Sequence, residues 1–429
     1  MNAALWYHMC MKILSITAQK PHSTGSGTYM TELVRAFDRM GHRQAVVCGI
    51  FPDDIVDFPE GVSCYPVFFS EKKADLLAVP CKAAQAKFGT LPFPVVGMSD
   101  IMPYTSTRYR DLTSDMISQF EDAFIDAAGR AIADLDPDLI ICHHLFLLTA
   151  LVRKHFPERK IAGISHGTDL RQMINCDNLR DLVKPYIKDL DAALALHEEQ
   201  RTQIIEIFGM DESRVSVIGS GYNNRLFNTE GRIEHEAGTP LRLAYAGKIS
   251  RPKGVPEMLA ALDRLASDSD VPAFELTMAG GCQDEFMKEK LNELPPWAEW
   301  LGQIPQAALA ELLRRTDIFI LPSYFEGLPL VLIEAMSAGA VPLSTDLPGI
   351  QKWINANVGN SNAVFVPVPQ MKSIDEPTDS GRRAFIDDLT AAIRQTMYSF
   401  AEGKLPGPLP DIAAITWDGL AARLLKICR

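Results

Sequence analysis

The chain has 429 residues, 42 basic and 54 acidic, for a formal net charge of −12; 47% are hydrophobic and 22% charged. The negative balance argues against a general nucleic-acid binder, which needs a basic surface. The apolar content is that of folded cores rather than a disordered acidic tail. At roughly 150 residues per domain, this length predicts two or three domains.

Residues 1–10 (MNAALWYHMC) read as a tail, too short and not basic enough for a signal peptide. Residues 12–18 (KILSITA) are predicted as a buried strand, followed by a loop rich in Gly, Ser and Pro through Gly27. Residues 28–40 place Met30, Leu33, Val34 and Phe37 at helical spacing, with Gly41 at the helix stop. Residues 44–50 (QAVVCGI) are the next strand, which completes a βαβ unit and implies a parallel sheet. Strands at 138–142, 160–165, 192–196 and 214–218 continue the alternation. Residues 229–240 (TEGRIEHEAGTP) form a polar linker, after which the pattern restarts. Strands are expected at 242–246, 274–278, 317–321 and 340–344, and helices at 256–265, 307–315 and 332–337. Residues 367–382 and 401–412 read as surface loops, and 415–427 as a final amphipathic helix. The result is two Rossmann-like α/β domains, in which ligands sit beyond the carboxyl ends of the strands.

The eight cysteines, Cys81 among them, are scattered without a CxxC pair, so zinc, iron–sulfur and thioredoxin-like readings lack support and a reducing compartment is expected. No run reaches the roughly 18 apolar residues of a spanning helix.

The most informative stretch is 321–340, LPSYFEGLPLVLIEAMSAGA. A strand ends near Pro322, a loop carries Glu326, Gly327, Leu328 and Pro329, and a helix starts near Leu330. Proline suits a helix start, whose unpaired N–H groups form a seat for phosphate. Glu326 lies at the helix mouth. Glu334, eight residues on, sits within an otherwise apolar helix. A carboxylate only accepts hydrogen bonds and so suits hydroxyl pairs: a sugar at one end, a ribose at the other.

These residues resemble the E-x7-E signature of retaining glycosyltransferases of family 4, which have the GT-B fold: two Rossmann-like domains facing each other across a cleft. The resemblance extends from Lys12 to the helix around Trp417 and is patchiest over 50–135. It implies an acceptor-side domain over 11–228, a nucleotide-sugar domain over 229–411, and a terminal segment, 412–429, crossing back toward the first. By that resemblance Glu326 meets the transferred sugar, Glu334 the ribose hydroxyls, and the backbone around Gly327 and Leu328 the sugar or distal phosphate.

Residues 247–254 (GKISRPKG) follow a strand and carry Lys248 and Lys253 toward the diphosphate, whose departure needs positive charge. The family usually has arginine at the first of these positions. Lysine keeps the charge without the bidentate fork, and Arg251 is a candidate to compensate. Residues 23–28 (STGSGT) place Gly25 and Gly27 at the first helix mouth, where small residues admit a phosphate or sugar. A dinucleotide fingerprint would need GxGxxG directly after the strand and an acidic end to the second strand; this loop has neither. His166, in GISHGTD past a strand end, resembles the family's histidine near the transferred sugar. Asp169 is either a sugar or acceptor contact or a helix cap. His143 and His144 end another strand, with a packing role and an acceptor-side role both open. His22 approaches from the first loop. His197 sits near a strand end, and Arg225 is a hinge candidate within GSGYNNRLF. Gly280 could admit base or phosphate, and Ile304 belongs to a stretch resembling the one beside the base.

The resemblance implies a UDP- or GDP-sugar donor, no cofactor, no metal, and a place in carbohydrate biosynthesis in the cytoplasm. No nucleic acid partner is expected; peripheral membrane contact and self-association stay open. Residues 93–115 are either a surface excursion or an acceptor lid or oligomer contact, with Tyr104, Arg108 and Tyr109 as its candidate side chains. Two alternatives stand beside transfer: a nucleotide-sugar epimerase of the same architecture, and a non-catalytic nucleotide-sugar-binding protein.

Overall fold

The computed structural model describes residues 10–71, 90–358, 361–373, 375–405 and 415–429. The expectations for residues 1–9, for Cys81 and for 406–412 lie outside them. Two compact units result. One ends at Ser220 and takes up Trp417–Arg429; the other is Gly221–Thr416.

The first unit is built on an eight-stranded sheet. In spatial order its strands are Val215–Val217, Ala192–Ala195, Ile161–Ile164, Leu139–His143, Lys12–Thr17, Arg43–Ile50, Val62–Phe69 and Thr90–Leu91. Every pairing in it is parallel. A parallel sheet is covered on both faces, so its central strands are nearly continuous apolar runs. Lys12–Thr17 is buried at all positions but its first, and Leu139–His143 throughout. These two strands are neighbours, with Ile13 opposite Leu139, although about 120 residues separate them in sequence. The strand order therefore reverses between them, and the loops that follow them, after Thr17 and after His143, flank this reversal.

The second unit has a six-stranded parallel sheet in the order Ala298–Trp300, Phe274–Ala279, Leu241–Ala246, Ile318–Leu321, Val341–Thr345 and Val364–Val366. Numbered from its own first strand this is the order 3-2-1-4-5-6 of a doubly wound nucleotide-binding sheet. Its reversal falls between Leu241–Ala246 and Ile318–Leu321, and the loops after those strands are 247–254 and 322–329.

Several expectations need correction. The strand Val62–Phe69 was not foreseen, and residues 367–382 are not a plain loop. They hold the hairpin strands Met371–Ser373 and Glu376–Pro377 and the start of a helix, Asp379–Ala401, whose N-cap Thr378 accepts from Gly381 N. Residues 93–115 are not a surface excursion. Phe93, Val95, Val96, Met98, Tyr109 and Leu112 are all buried in the first unit's main core. The segment also pairs Val96–Gly97 with Thr107–Arg108 and leads into the helix Ser114–Leu135.

The last helix, Trp417–Ile427, packs on the first, Gly25–Arg39. Trp417 is 3% exposed and meets the ring of Tyr29 edge-on, with centroids 5.0 Å apart. Burying an aromatic pair of this kind stabilises a domain by several kcal/mol, roughly 3–5 on truncation of one ring. Among the described residues no helix is long and apolar enough to cross a membrane.

Candidate functional site

The second unit's switch point carries Lys248 and Lys253 on one loop and Glu326 on the other, and brings the last two into contact. After the strand Leu241–Ala246 the chain runs through Lys248 into a short 3-10 turn, Arg251–Lys253, and then the helix Val255–Ala266. After Ile318–Leu321 it runs through Ser323–Pro329 into the helix Leu330–Ser337. Tyr324 N donates to Pro252 O at 3.1 Å and fastens one loop to the other. Gly254 has φ +65°, and a Cβ there would stand 2.0 Å from the carbonyl oxygen of Pro322. Only glycine adopts that backbone without strain and leaves room for the second loop.

The loops meet at a charged contact. Lys253 Nζ donates to Glu326 Oε1 at 2.6 Å and to Phe325 O at 3.3 Å, and Ser323 Oγ donates to the same Glu326 oxygen at 2.7 Å. Lys253 and Glu326 are each about one-fifth exposed, so the pair is weakly screened and still reachable from solvent. Lys248 is half-buried, and its carbonyl accepts from Tyr245 OH at 2.7 Å. Burial, and then the nearby Glu326 carboxylate, push the Tyr245 phenol well up, so it is a neutral donor. Arg251 does not compensate for the lysine at 248. Its guanidinium is held by the buried carboxylate of Asp284, Nε to Oδ2 at 3.0 Å.

Pro329 caps the helix Leu330–Ser337 with no side-chain hydrogen bond, which leaves the helix mouth without a capping side chain. Gly327 is half-buried, Leu328 and Pro329 are buried, and Glu334 is 7% exposed among buried Leu332, Ile333, Ala335 and Met336. Glu326 precedes the helix and Glu334 lies within it, as expected. Gly280 follows the neighbouring strand, and a Cβ there would lie 1.7 Å from Gly247 O. Its N–H is given to Gly302 O and its carbonyl is taken by Trp300 Nε1. The glycine is thus explained by a backbone crossing, and both its backbone groups are occupied. Ile304 is half-buried near the end of the edge strand.

The first unit brings together a second group. His143 ends the strand Leu139–His143, and His166 lies two residues past Ile161–Ile164, the adjacent strand. His143 Nδ1 and His166 Nε2 are 3.1 Å apart. The His144 ring centre is 4.8 Å from that of His166, and the Tyr29 ring meets His166 edge-on at 5.0 Å. Tyr29 OH donates to Gly219 O at 3.0 Å. Burial holds His143 and His144 well below the ordinary histidine value and pushes His166 down to about 3, so all three rings are neutral near pH 7.

Asp169, read as either a sugar or acceptor contact or a helix cap, is instead a buried clamp; Gly167 holds the cap position. It has no exposed surface, and its carboxylate accepts from Leu145 N (2.7 Å), Ser165 Oγ (3.0 Å) and His166 N (3.1 Å). It ties the loop after His143 to the loop bearing His166, which positions both histidines. Gly27 is likewise explained by packing, since a Cβ there would lie 2.8 Å from Lys20 O. At Gly25 nothing of the chain lies within 4 Å of such a Cβ. His22 is exposed, with φ +61°, and its ring lies 6.0 Å from that of Phe58. Tyr104 and Arg108 have other neighbours. Lys20 Nζ lies over the Tyr104 ring at 5.2 Å, and Arg108 pairs with Asp111 at 2.6 Å on the surface. Tyr109 is 1% exposed and its ring meets that of Phe146 edge-on, so its side chain belongs to the core. His197 caps the helix Glu198–Phe208 through Nδ1, accepting from Gln200 N.

Sequence reasoning missed Ser323, Gly254, Tyr29 and Lys20. Gly254 had a signal, a glycine just before a predicted helix start; the others had none. Among the described residues no group of three or more His, Cys, Asp or Glu side chains is arranged to hold a metal ion.

Comparison with known proteins supplies the context. The model of "Glycosyl transferases group 1" matches residues 228–379, and that of "Glycosyl transferase 4-like domain" matches 24–221. A glycogen synthase of Mycobacterium tuberculosis is 28% identical over 206 residues, 46% of this chain and 49% of that protein. The chain thus spans about half the length of this curated relative. Among solved structures, a sucrose-phosphate synthase from Thermosynechococcus elongatus superposes with a TM-score of 0.62 at 16% identity, covering 97% of this chain and 98% of that one. An E. coli structure described as trehalose-6-phosphate, bound with UDP-2-fluoro glucose, does so with a TM-score of 0.61 at 11% identity, again over 97% and 98%.

Proposed function

We propose, for a chain that has the GT-B fold and glycosyltransferase-like domains, that it moves a hexose-type sugar from a nucleoside diphosphate sugar to an acceptor hydroxyl and retains the anomeric configuration, as family 4 enzymes do. The observation that carries this reading is the Lys253–Glu326 contact at 2.6 Å. It sets a cation and a carboxylate side by side at the switch point of a nucleotide-binding sheet, next to an open helix mouth.

In this reading residues 229–411 hold the donor and residues 11–228 serve the acceptor. Lys248, Lys253 and the N–H groups at the start of Leu330–Ser337 stabilise the diphosphate as the bond from the anomeric carbon to its phosphate oxygen breaks. Glu326 accepts from sugar hydroxyls and Glu334 from the ribose pair. His166 bonds a hydroxyl of the transferred sugar. The acceptor oxygen attacks the same face from which the phosphate departs, and its proton passes to the departing phosphate oxygen. Exclusion of water protects the donor from hydrolysis. Metal independence and a cytoplasmic location belong to the same proposal. The first requires that EDTA leave the rate unchanged; the second is read by cell fractionation. The UDP-2-fluoro glucose of the E. coli structure supports a nucleoside diphosphate sugar as the donor class.

The test is calorimetry with a panel of UDP-, ADP- and GDP-sugars, followed by mass spectrometry of products formed with a cell extract as acceptor source. Transfer of the sugar mass to an acceptor supports the proposal. An epimer formed from donor alone identifies an epimerase, and binding without turnover a binding protein. Failure to bind every donor overturns the reading.

A further inference from the structure

We infer that His143 is the positioning residue for His166. It donates from Nδ1 to Nε2 of His166 and so holds the remaining His166 proton on Nδ1, which makes that side chain a hydrogen-bond donor to a bound sugar rather than a base. The sugar contact rests on the proposed transferase reading; the tautomer is a property of the free protein.

The ring planes of His143 and His166 differ by only 12°, and their centroids are 5.4 Å apart while the nitrogens are 3.1 Å apart. The centres are farther apart than the nitrogens by about one ring radius at each end. The two nitrogens therefore lie near the line joining the centres, and the rings meet edge to edge rather than face to face. An imidazole N–H and an imidazole lone pair both lie in the ring plane, so this is the alignment of an N–H···N hydrogen bond.

Two neutral rings allow two arrangements. If His166 Nε2–H donates, the His143 proton must sit on Nε2. That atom is buried with no hydrogen-bond partner in the protein, so the chain offers its N–H no acceptor. If His143 Nδ1–H donates, the same atom is a bare acceptor. Buried N–H groups left without an acceptor are the rarer fault in folded proteins. His144, beside them, has neither ring nitrogen partnered and holds φ +73°, so no nitrogen of His144 bonds to His143 Nε2. The geometry selects the second arrangement, which leaves the His166 proton on Nδ1, the nitrogen not engaged with His143. The Asp169 carboxylate fixes the two loops, through Leu145 N and His166 N, and the edge of Tyr29 packs on His166, so the pair is held in register from both sides.

The experiment is a two-bond 1H–15N correlation spectrum of the full chain labelled at histidine, recorded without ligand at pH 7. Signals are assigned by their loss in His166→Asn and His143→Asn. The inference expects His166 protonated at Nδ1 and bare at Nε2; a proton on Nε2 of His166 overturns it. His143→Leu, shown to be folded by circular dichroism, should release His166 into mixed tautomers. His143→Asn, whose amide replaces the Nδ1–H, should restore the Nδ1–H form; equal spectra for Leu and Asn variants also overturn it. With a donor in hand, the Leu variant should lose at least tenfold in transfer rate and the Asn variant regain most of it. The ligand-free spectrum decides the positioning whatever the donor panel returns. A panel that binds nothing overturns the transferase reading alone.

Discussion

Lys253 and Glu326 satisfy each other in the ligand-free protein, Nζ to Oε1 at 2.6 Å, although sequence reasoning assigned one to phosphate and the other to sugar. A diphosphate entering this site has to share the ammonium with the carboxylate. Glu326→Gln keeps a group that Lys253 and Ser323 can bond while removing the competing charge. At an effective dielectric near 20 a contact of this length is worth a few kcal/mol before solvation is counted. The variant should therefore bind UDP or GDP several-fold more tightly and transfer sugar more slowly. Calorimetry with the free nucleotides checks this, and weaker binding would show that Glu326 helps to hold the nucleotide.

Glu334 is 7% exposed in an apolar helix, where a carboxylate must be hydrogen-bonded, and a hydroxyl pair is a suitable donor to it. Its assignment to the ribose predicts discrimination between UDP and its 2′,3′-dideoxy analogue. Wild type should prefer UDP by at least about tenfold, the worth of one hydrogen bond to a charged group. Glu334→Gln should erase most of that preference. Equal affinities in wild type would remove the ribose role.

Gly254→Ala forces a Cβ against Pro322 O at a backbone of φ +65°. The loops must separate, which moves Lys253 away from Glu326. A loss of about 2–4 kcal/mol in stability is expected from strain and overpacking together, with transfer falling more than tenfold. Gly25→Ala, where a Cβ meets nothing of the chain, should leave the melting temperature within a degree or two. Thermal melts of both variants make the comparison.

His143 and His144, both buried, and the half-buried His166 predict acid sensitivity. Their folded-state values are depressed, His166 to about 3, whereas the unfolded chain protonates near 6.5. Below that value the unfolded state binds more protons, so stability is full above about pH 6.5 and falls as pH drops toward 3. Each fully shifted group adds up to about 1.4 kcal/mol per pH unit. His144→Asn suits the positive φ of that residue and removes one such group. Its denaturation midpoints should fall less steeply between pH 6.5 and 5 than those of wild type. Parallel slopes would mean that His144 does not take up a proton on unfolding in this range.

Trp417→Ala should cost the first unit about 3–5 kcal/mol, because it empties a site 3% exposed and strips the edge contact from Tyr29. Calorimetric unfolding would show it as a lowered transition; a shift of under one degree would mean that the last helix contributes little.

Much of the fold was legible. Residues 12–18 were read as a strand and Lys12–Thr17 is one; 317–321 were read as a strand and Ile318–Leu321 is one. Strands buried on both faces are short apolar runs, and their signal is local. Val62–Phe69 escaped because Pro66 interrupts it and only Val67 and Phe69 of its residues are buried, which weakens both cues. The whole helix Asp379–Ala401 was missed, although Phe385, Leu389, Ile393 and Met397 mark its buried face at regular spacing; the Pro- and charge-rich residues around its cap hid its start. Segment 93–115 has no period of its own, so its burial could not be read locally.

By itself the chain determined its alternation of strands and helices and the loops that carry Lys253, Glu326, His143 and His166, since apolar periodicity and turn residues act over a few positions. Only the tertiary structure decided who meets whom. The strand order sets Leu241–Ala246 beside Ile318–Leu321, and with it an ammonium against a carboxylate 73 residues away. It also turned Asp169 inward onto three donors and placed two histidines from adjacent strand ends in line. Charged and polar groups choose partners by distance and desolvation, and neither quantity exists until the sheet has closed.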